Sequence, residues 1–446
     1  MKWWLVLLLI PLISTNVSAA ETSCVILEEA AAGPAHTCSP CLSNPGNCTP
    51  CGTSTNDCDG YNTNPGPHLV TSQSSTRVIQ VVWHIILGPS GEGDCSAQVA
   101  SQMQLLNDAY GAKSGTPYAS SVNTHIQFVL SSKDPSGNPT TGIEIVSNHP
   151  EWFNTIYVRN SVDQAAGTAL HWDTTRYLNI ITHGNTVGSW SALPWDATDT
   201  PYFDGVRLLY SLAGTTDNGR ILVHEIGHFL GLFEEGWNVC GTTCNTSCYQ
   251  TGDLVCDTPT WVTCNGRAGC ENFPILSCSV YTYGNTFVGQ GQPPCWIRWT
   301  AEQTARMRCS LPTYRPNNYL GIVESSIQET VTQFCSGPTS RIRFVISWDT
   351  NVATNGPDSL LVYPPGWACP GPTWRKSGVT PGSATTQHTV TWEGNCSPGA
   401  VGEWRYTIKT MNAPSGILST RSECRPIGAV SCPSCGGGCH PPCEFD

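Results

Sequence analysis

The sequence has no apolar run long enough to cross a bilayer. The longest, Trp3–Ile13, falls short of the ~20 residues that a membrane helix needs, so no membrane span is expected. Charge is also scarce, at 12% of residues, which argues against long solvent-facing helices. Positive charge is scarcer still. Lys and Arg number 21 against 33 Asp and Glu, for a formal net charge of −12. Such a chain has little to offer a polyanion, so neither nucleic acid nor an anionic membrane surface is an expected partner. Methionine is rare, at four residues, and no internal repeat is present.

Abundant instead are Gly (43), Pro (33) and Cys (24), a composition of loops and short strands tied by disulfides. The 446 residues exceed one compact core, so two or three units are expected. Lys2, the apolar run to Ile13 and the small residues Val17, Ser18, Ala19 and Ala20 read as a cleavable signal peptide over 1–20. Export explains the even cysteine count, because thiols pair in an oxidising compartment. Sequons stand at Asn47-Cys48-Thr49, Asn245-Thr246-Ser247 and Asn395-Cys396-Ser397.

Residues 21–75 are rich in Cys, Pro and Gly and form a candidate pro-segment. The pairs Cys38-Ser39-Pro40-Cys41 and Cys48-Thr49-Pro50-Cys51 lie closer together than in zinc ribbons, so a disulfide-stapled segment is expected over a zinc site. A free Cys51 thiolate would be a good metal ligand; an ordinary disulfide is the alternative.

Regular structure is expected from about residue 76. Val78–Leu87 reads as a buried strand. Asp94 reads as the N-cap of a helix bearing Val99, Met103, Leu106 and Tyr110 at helical spacing. Ile126, Phe128 and Leu130 alternate as a strand does, and Tyr177–Thr182 and Val206–Leu212 read as two more. Strands with one helix among them, ahead of a metal-type helix, suggest an α/β unit over 76–325. After residue 325 the helical pattern stops. Arg341–Trp348, Ser359–Tyr363, His388–Trp392 and Trp404–Lys409 read as short strands of an all-β sandwich over 326–424. Cys432, Cys435, Cys439 and Cys443 crowd a tail over 425–446 that reads as a disulfide knot, with His440 a surface residue rather than a ligand.

The chemistry sits in His224-Glu225-Ile226-Gly227-His228. Histidines four apart lie one helical turn apart on one face, so both imidazoles can reach one ion. Glu225 is offset from them, beside the position an ion would leave for water. Zinc acidifies such a water and a neighbouring carboxylate can take its proton. Gly231 can end the helix in a left-handed conformation and turn the chain back. Chance produces this five-residue pattern on the order of once in a hundred such chains, so the context matters.

The context is His224-Glu225-Ile226-Gly227-His228-Phe229-Leu230-Gly231-Leu232-Phe233-Glu234, the metzincin layout with Glu in the last ligand position. With Gly252-Asp253-Leu254-Val255-Cys256-Asp257-Thr258-Pro259, Trp299-Thr300-Ala301-Glu302-Gln303 and Arg306-Met307-Arg308-Cys309, residues 76–312 resemble the pappalysin family. Ile79–Ile86 with His84, the Gln102–Asn107 segment and Asn179-Ile180 are similar to that family's framework. The resemblance implies a two-lobed metzincin-like catalytic domain with a mixed sheet and an active-site helix. It implies zinc, structural calcium and cleavage of peptide bonds in a protein or peptide substrate. His224 and His228 would be ligands and Glu225 the general base; Asp253 and Asp257 would help bind calcium. Tyr283 would match the Tyr that supports the tetrahedral intermediate, in Ser279-Val280-Tyr281-Thr282-Tyr283. Tyr281 there replaces the expected Met. The third ligand is open between Glu234, Glu235 and a degenerate site. The function expected is a secreted zinc endopeptidase; the alternative is an inactive extracellular binding protein on the same scaffold.

Overall fold

The computed structural model describes residues 58, 63–71, 74–186, 188–197, 200–214, 217–234, 249, 253–258, 285–289, 293–369, 375–379, 383–397, 401–411, 419–422 and 424–435. The signal segment, the cysteine pairs up to Cys51, the sequons at Asn47 and Asn245, Glu235, Tyr281, Tyr283 and the tail around His440 lie outside these residues.

The Val/Ile/Trp run Arg77–Ile86 forms β1, covered on both faces as a central parallel strand should be. Along one edge β1 pairs in parallel with β2 (Ile126–Leu130) and then β3 (Ile143–Val146). Beside it lies β4 (Tyr177–His183), also parallel. The short antiparallel strand β5 (Trp190–Ser191) closes the far edge by pairing with β6 (Val206–Leu209), which is parallel to β4. The path is β2-β1-β4-β6-β5, and β7 (Tyr319–Leu320) returns antiparallel onto the start of β1.

Because strand side chains alternate between faces, Val81, Trp83 and Ile85 point one way. They meet Val99 and Leu106 of α1 (Ser96–Tyr110). Ile86 and Ile181 share the opposite face with Ala166 of α2 (Ser161–Leu170) and with Trp152 and Phe153 at the 3₁₀ turn before it. The first core also takes in Leu222, Ile226 and Phe229 of α3 (Arg220–Phe229) and Met307 and Leu311 of α4 (Ala301–Tyr314). A capping box between Thr300 and Gln303 opens α4.

Three expectations change. Cys95, not Asp94, is the N-cap of α1; the Asp94 carboxylate accepts from Ser96 N at 2.9 Å. The expected strand Val206–Leu212 stops at Leu209, and Tyr210–Leu212 coils into a 3₁₀ turn. The C-terminal strands are not all short: β8 (Ile322–Ser336) and β9 (Thr339–Thr354) form a long hairpin.

With β12 (Thr385–Asn395), that hairpin makes a three-stranded sheet. A second sheet holds β10 (Asp358–Tyr363), β11 (Arg375–Val379), β13 (Val401–Met411), β14 (Ser419–Arg421) and β15 (Arg425–Ser431). The two enclose one core that includes Phe344, Trp348, Leu360, Trp392 and Tyr406. This sheet runs on through β15, past the boundary expected at residue 424. Cys432 and Cys435 do not knot with each other; they bond to Cys396, just after β12, and Cys335 of β8, fastening the segment after β15 across to the three-stranded sheet. Cys369–Cys424 is a further disulfide, and Cys95 is a buried free thiol.

The C-terminal unit is sewn to the first. Thr76 N donates to Arg421 O at 2.9 Å, and Ser75 bridges Ser422. The stretch before β1 is stapled to α4 by Cys58–Cys309. Among the described residues no helix is long and apolar enough to cross a membrane.

Candidate active site

α3 places its apolar stripe, Leu222, Val223, Ile226 and Phe229, against the core, so its histidines line up along one flank. The helix ends at Gly231, whose φ of +93° is reserved in practice for glycine. A Cβ there would meet Ser310 Oγ of α4 at 2.6 Å. Gly231 N donates to His228 O and Leu232 N to Gly227 O, satisfying the last carbonyls of the helix while the chain reverses. The reversal brings Glu234 back over the histidines.

Each imidazole is held by its Nδ1. His224 Nδ1–H donates to Phe287 O at 2.7 Å and His228 Nδ1–H to Leu232 O at 2.8 Å. With those protons on Nδ1, both Nε2 lone pairs face one point. The Nε2 atoms are 3.0 Å apart, and Glu234 Oε1 is 3.0 Å from His224 Nε2 and 3.3 Å from His228 Nε2. Ligands of tetrahedral zinc, at about 2.0–2.2 Å from the ion, stand about 3.3–3.6 Å from one another. The triangle is slightly smaller than that and of the right donor types, two imidazoles and a carboxylate, so these side chains fit the ion. Glu225 lies beside it, with ligand-type atoms of His224, Glu225 and His228 all within 4.8 Å of one another.

The electrostatics follow from burial and proximity. Burial disfavours a charged His224, but the Glu234 carboxylate outweighs it and pushes the ring up to about 9, so an ion binding there displaces a proton from Nε2 before it takes the lone pair. Burial also opposes ionisation of Glu234, yet the two imidazoles hold it well below the usual carboxylate range. At Glu225 burial outweighs the attraction of the two imidazoles and pushes the carboxyl up. The pocket thus separates one firmly ionised carboxylate from one that exchanges protons more readily, the division that general acid–base work requires.

Sequence reasoning missed two neighbours. Phe287 contributes a carbonyl, which no side-chain pattern reveals. Trp296 stacks on His224, centroids 4.7 Å apart and planes 14° from parallel; its one signal was a position just before Trp299. Among the described residues, 285–289 and 293–299 lie against the site; Tyr283 is outside them. Asp253 and Asp257 are placed where their oxygens serve hydrogen bonds. Asp253 accepts from Thr258 Oγ1 at 2.6 Å, and burial pushes it up to about 7. Asp257 accepts from Thr300 Oγ1 at 2.7 Å and from Glu302 N at 2.8 Å, holding the N-terminus of α4.

No protein-family model matches the chain. It is 27% identical over 236 residues to an extracellular metalloprotease of Pyricularia oryzae, a match covering 49% of this chain and 68% of that protein. It is 30% identical over 139 residues to pappalysin-1 of Homo sapiens, covering 28% of this chain and 8% of that much longer protein. Among solved structures, mature mirolysin of Tannerella forsythia in complex with a cleaved peptide is 28% identical. That likeness has a TM-score of 0.40 and covers 53% of this chain and 91% of the other.

Proposed function

We propose that this chain, a pappalysin-like metallopeptidase, is a secreted endopeptidase that holds zinc with His224, His228 and Glu234 and uses Glu225 as its general base. The observation that carries this reading is the convergence of His224 Nε2, His228 Nε2 and Glu234 Oε1 at 3.0–3.3 Å around one point. Zinc bound there would supply Lewis acidity, polarising a peptide carbonyl and acidifying a water.

The chain's own residues do the rest. The carbonyls of Phe287 and Leu232 keep the imidazoles in the tautomer that offers Nε2. The turn at Gly231 carries Glu234 into reach. The Glu225 carboxylate, buried beside the histidines, takes a proton from the attacking water and delivers it to the leaving amine. Its raised affinity for a proton suits both halves of that transfer. Tyr283 is assigned the oxyanion by family resemblance. Calcium at Asp253 and Asp257 rests on the same resemblance, with the buried Asp253 carboxylate as the group a cation would relieve. A metzincin-like catalytic unit over 76–325 followed by a sandwich is the architecture this reading adopts, with the sandwich extended through β15. The extracellular relatives support export, and they do not favour an inactive binding scaffold.

The test is hydrolysis of a quenched fluorescent peptide library by purified protein, with zinc content measured alongside. Activity is expected to vanish with a chelator and return with zinc. Glu225→Gln is expected to lower turnover by ~100- to 10,000-fold with zinc retained. Full activity in Glu225→Gln would remove the mechanism.

A further inference from the structure

His224 is braced by a strap formed by residues 285–289 and 293–299. Phe287 O takes its Nδ1–H at 2.7 Å. The Trp296 indole covers one face of its ring, and Trp296 Nε1–H donates to Gly289 O at 3.0 Å. These two stretches therefore grip His224 through a carbonyl and through an aromatic plate. The strap is itself closed: Ile297 N and Arg298 N both donate to Asn285 O, and Phe287 N donates to Arg298 O. It is fastened to the start of α3, where Arg220 Nη1 donates to the carbonyls of Pro293 and Pro294, and Cys295 is disulfide-bonded. It also seats directly on the motif helix. A Cβ on Gly227 would meet Trp299 at 2.9 Å and Val288 at 3.2 Å.

We propose that Trp296 is a positioning residue for metal uptake, its indole fixing the plane of His224 so that Nε2 is aimed at the zinc point before the ion arrives. Among the described residues His228 has a carbonyl partner but no such stacked plate, so the brace acts on one ligand of the pair. A ring held by one hydrogen bond alone can still swing about it; a flat plate against its face stops that swing. The proposal rests on the reading of His224 as a zinc ligand.

The experiment measures zinc dissociation constants by chelator competition on the full chain for wild type, His224→Ala, Trp296→Ala and Trp296→Phe, with melting temperature alongside. Removing a group that orients a ligand typically weakens metal binding 10- to 100-fold. Trp296→Ala is expected to show a loss of that size. Trp296→Phe, which keeps a ring face, is expected to recover most of it, although it loses the bond to Gly289. In a His224→Ala background Trp296→Ala is expected to have no further effect, which a general loss of stability would not mimic. Should Trp296→Ala not fold, Trp296→Leu, which keeps bulk without a ring face, is expected to show the same loss. Wild-type zinc affinity in Trp296→Ala or Trp296→Leu overturns the proposal alone. Zinc that binds equally well to His224→Ala overturns the ligand reading and the proposal with it.

Discussion

Arg306 Nε donates to Gly231 O at 2.7 Å, so a cation on α4 holds the residue at which α3 ends. The bond pins the one turn that decides where Glu234 lies. Gly231→Ala would put a side chain at φ +93° and against Ser310. Backbone strain alone costs about 1–3 kcal/mol, and the contact adds to it. Denaturant unfolding is expected to show at least that loss, with zinc binding weakened as well. A variant as stable as wild type and as rich in zinc would contradict the role given to this turn.

Glu234→Ala would leave two of the three proposed ligands, and zinc affinity is expected to fall by at least about 100-fold, the upper end of what outer partners cost. Glu234→His restores the usual metzincin donor set and is expected to retain zinc. Metal analysis after dialysis against a weak chelator reads both. Zinc content unchanged in Glu234→Ala would move the third-ligand role to Glu235 or to no residue.

What was legible in the sequence was what periodicity and short motifs encode. The β1 run, the amphipathic α1 and the spacing of His224 and His228 are local patterns, and the structure carries them at those positions. Misreadings arose where a non-local partner decides. Leu209, Tyr210 and Leu212 are large and apolar or aromatic, with only Ser211 among them, so no pattern marked where β6 gives way to a 3₁₀ turn. Crowded cysteines suggested a knot, but Cys432 and Cys435 find partners at Cys396 and Cys335, far along the chain. The Phe287 carbonyl and the Trp296 plate act through backbone and shape, which residue identity does not announce.

Burial pushes Asp253 up to about 7 from an ordinary 3.8. A folded-state pKa above the unfolded one means that the native state binds the extra proton. Stability from this group is therefore complete below pH ~4 and is lost as pH rises toward 7. The full penalty is at most about 4 kcal/mol. Asp253→Asn is expected to raise the melting temperature at pH 8 relative to wild type, and much less at pH 4. Calcium is expected to stabilise wild type more than the variant at pH 8. Equal melting of the two proteins across this range would remove the buried-charge argument.

The C-terminal unit carries none of the proposed zinc donors, so a chain ending near residue 325 is expected to keep zinc and peptide cleavage. It loses Arg421 and Ser422, which pair with Thr76 and Ser75 just ahead of β1. It also loses Asn351, whose side chain donates to Pro316 O and Tyr319 O. Its melting temperature is expected to be lower than that of the full chain. A shortened chain that folds without zinc would place the division elsewhere.

The staple between Cys58 and Cys309 changes what proteolytic maturation can mean for this molecule. A cut anywhere between Cys58 and β1 would leave two polypeptides joined by sulfur, not a free enzyme and a departing peptide. The severed stretch would stay near α4 at the effective concentration of an intramolecular group, commonly millimolar for a short tether. Only chain released by a second cut, upstream of Cys58, and not otherwise bonded could diffuse away. A matured sample would run as one band on a non-reducing gel and as two after reduction. Any inhibitory hold exerted by residues near Cys58 would then respond to the redox state of the surroundings rather than to dilution.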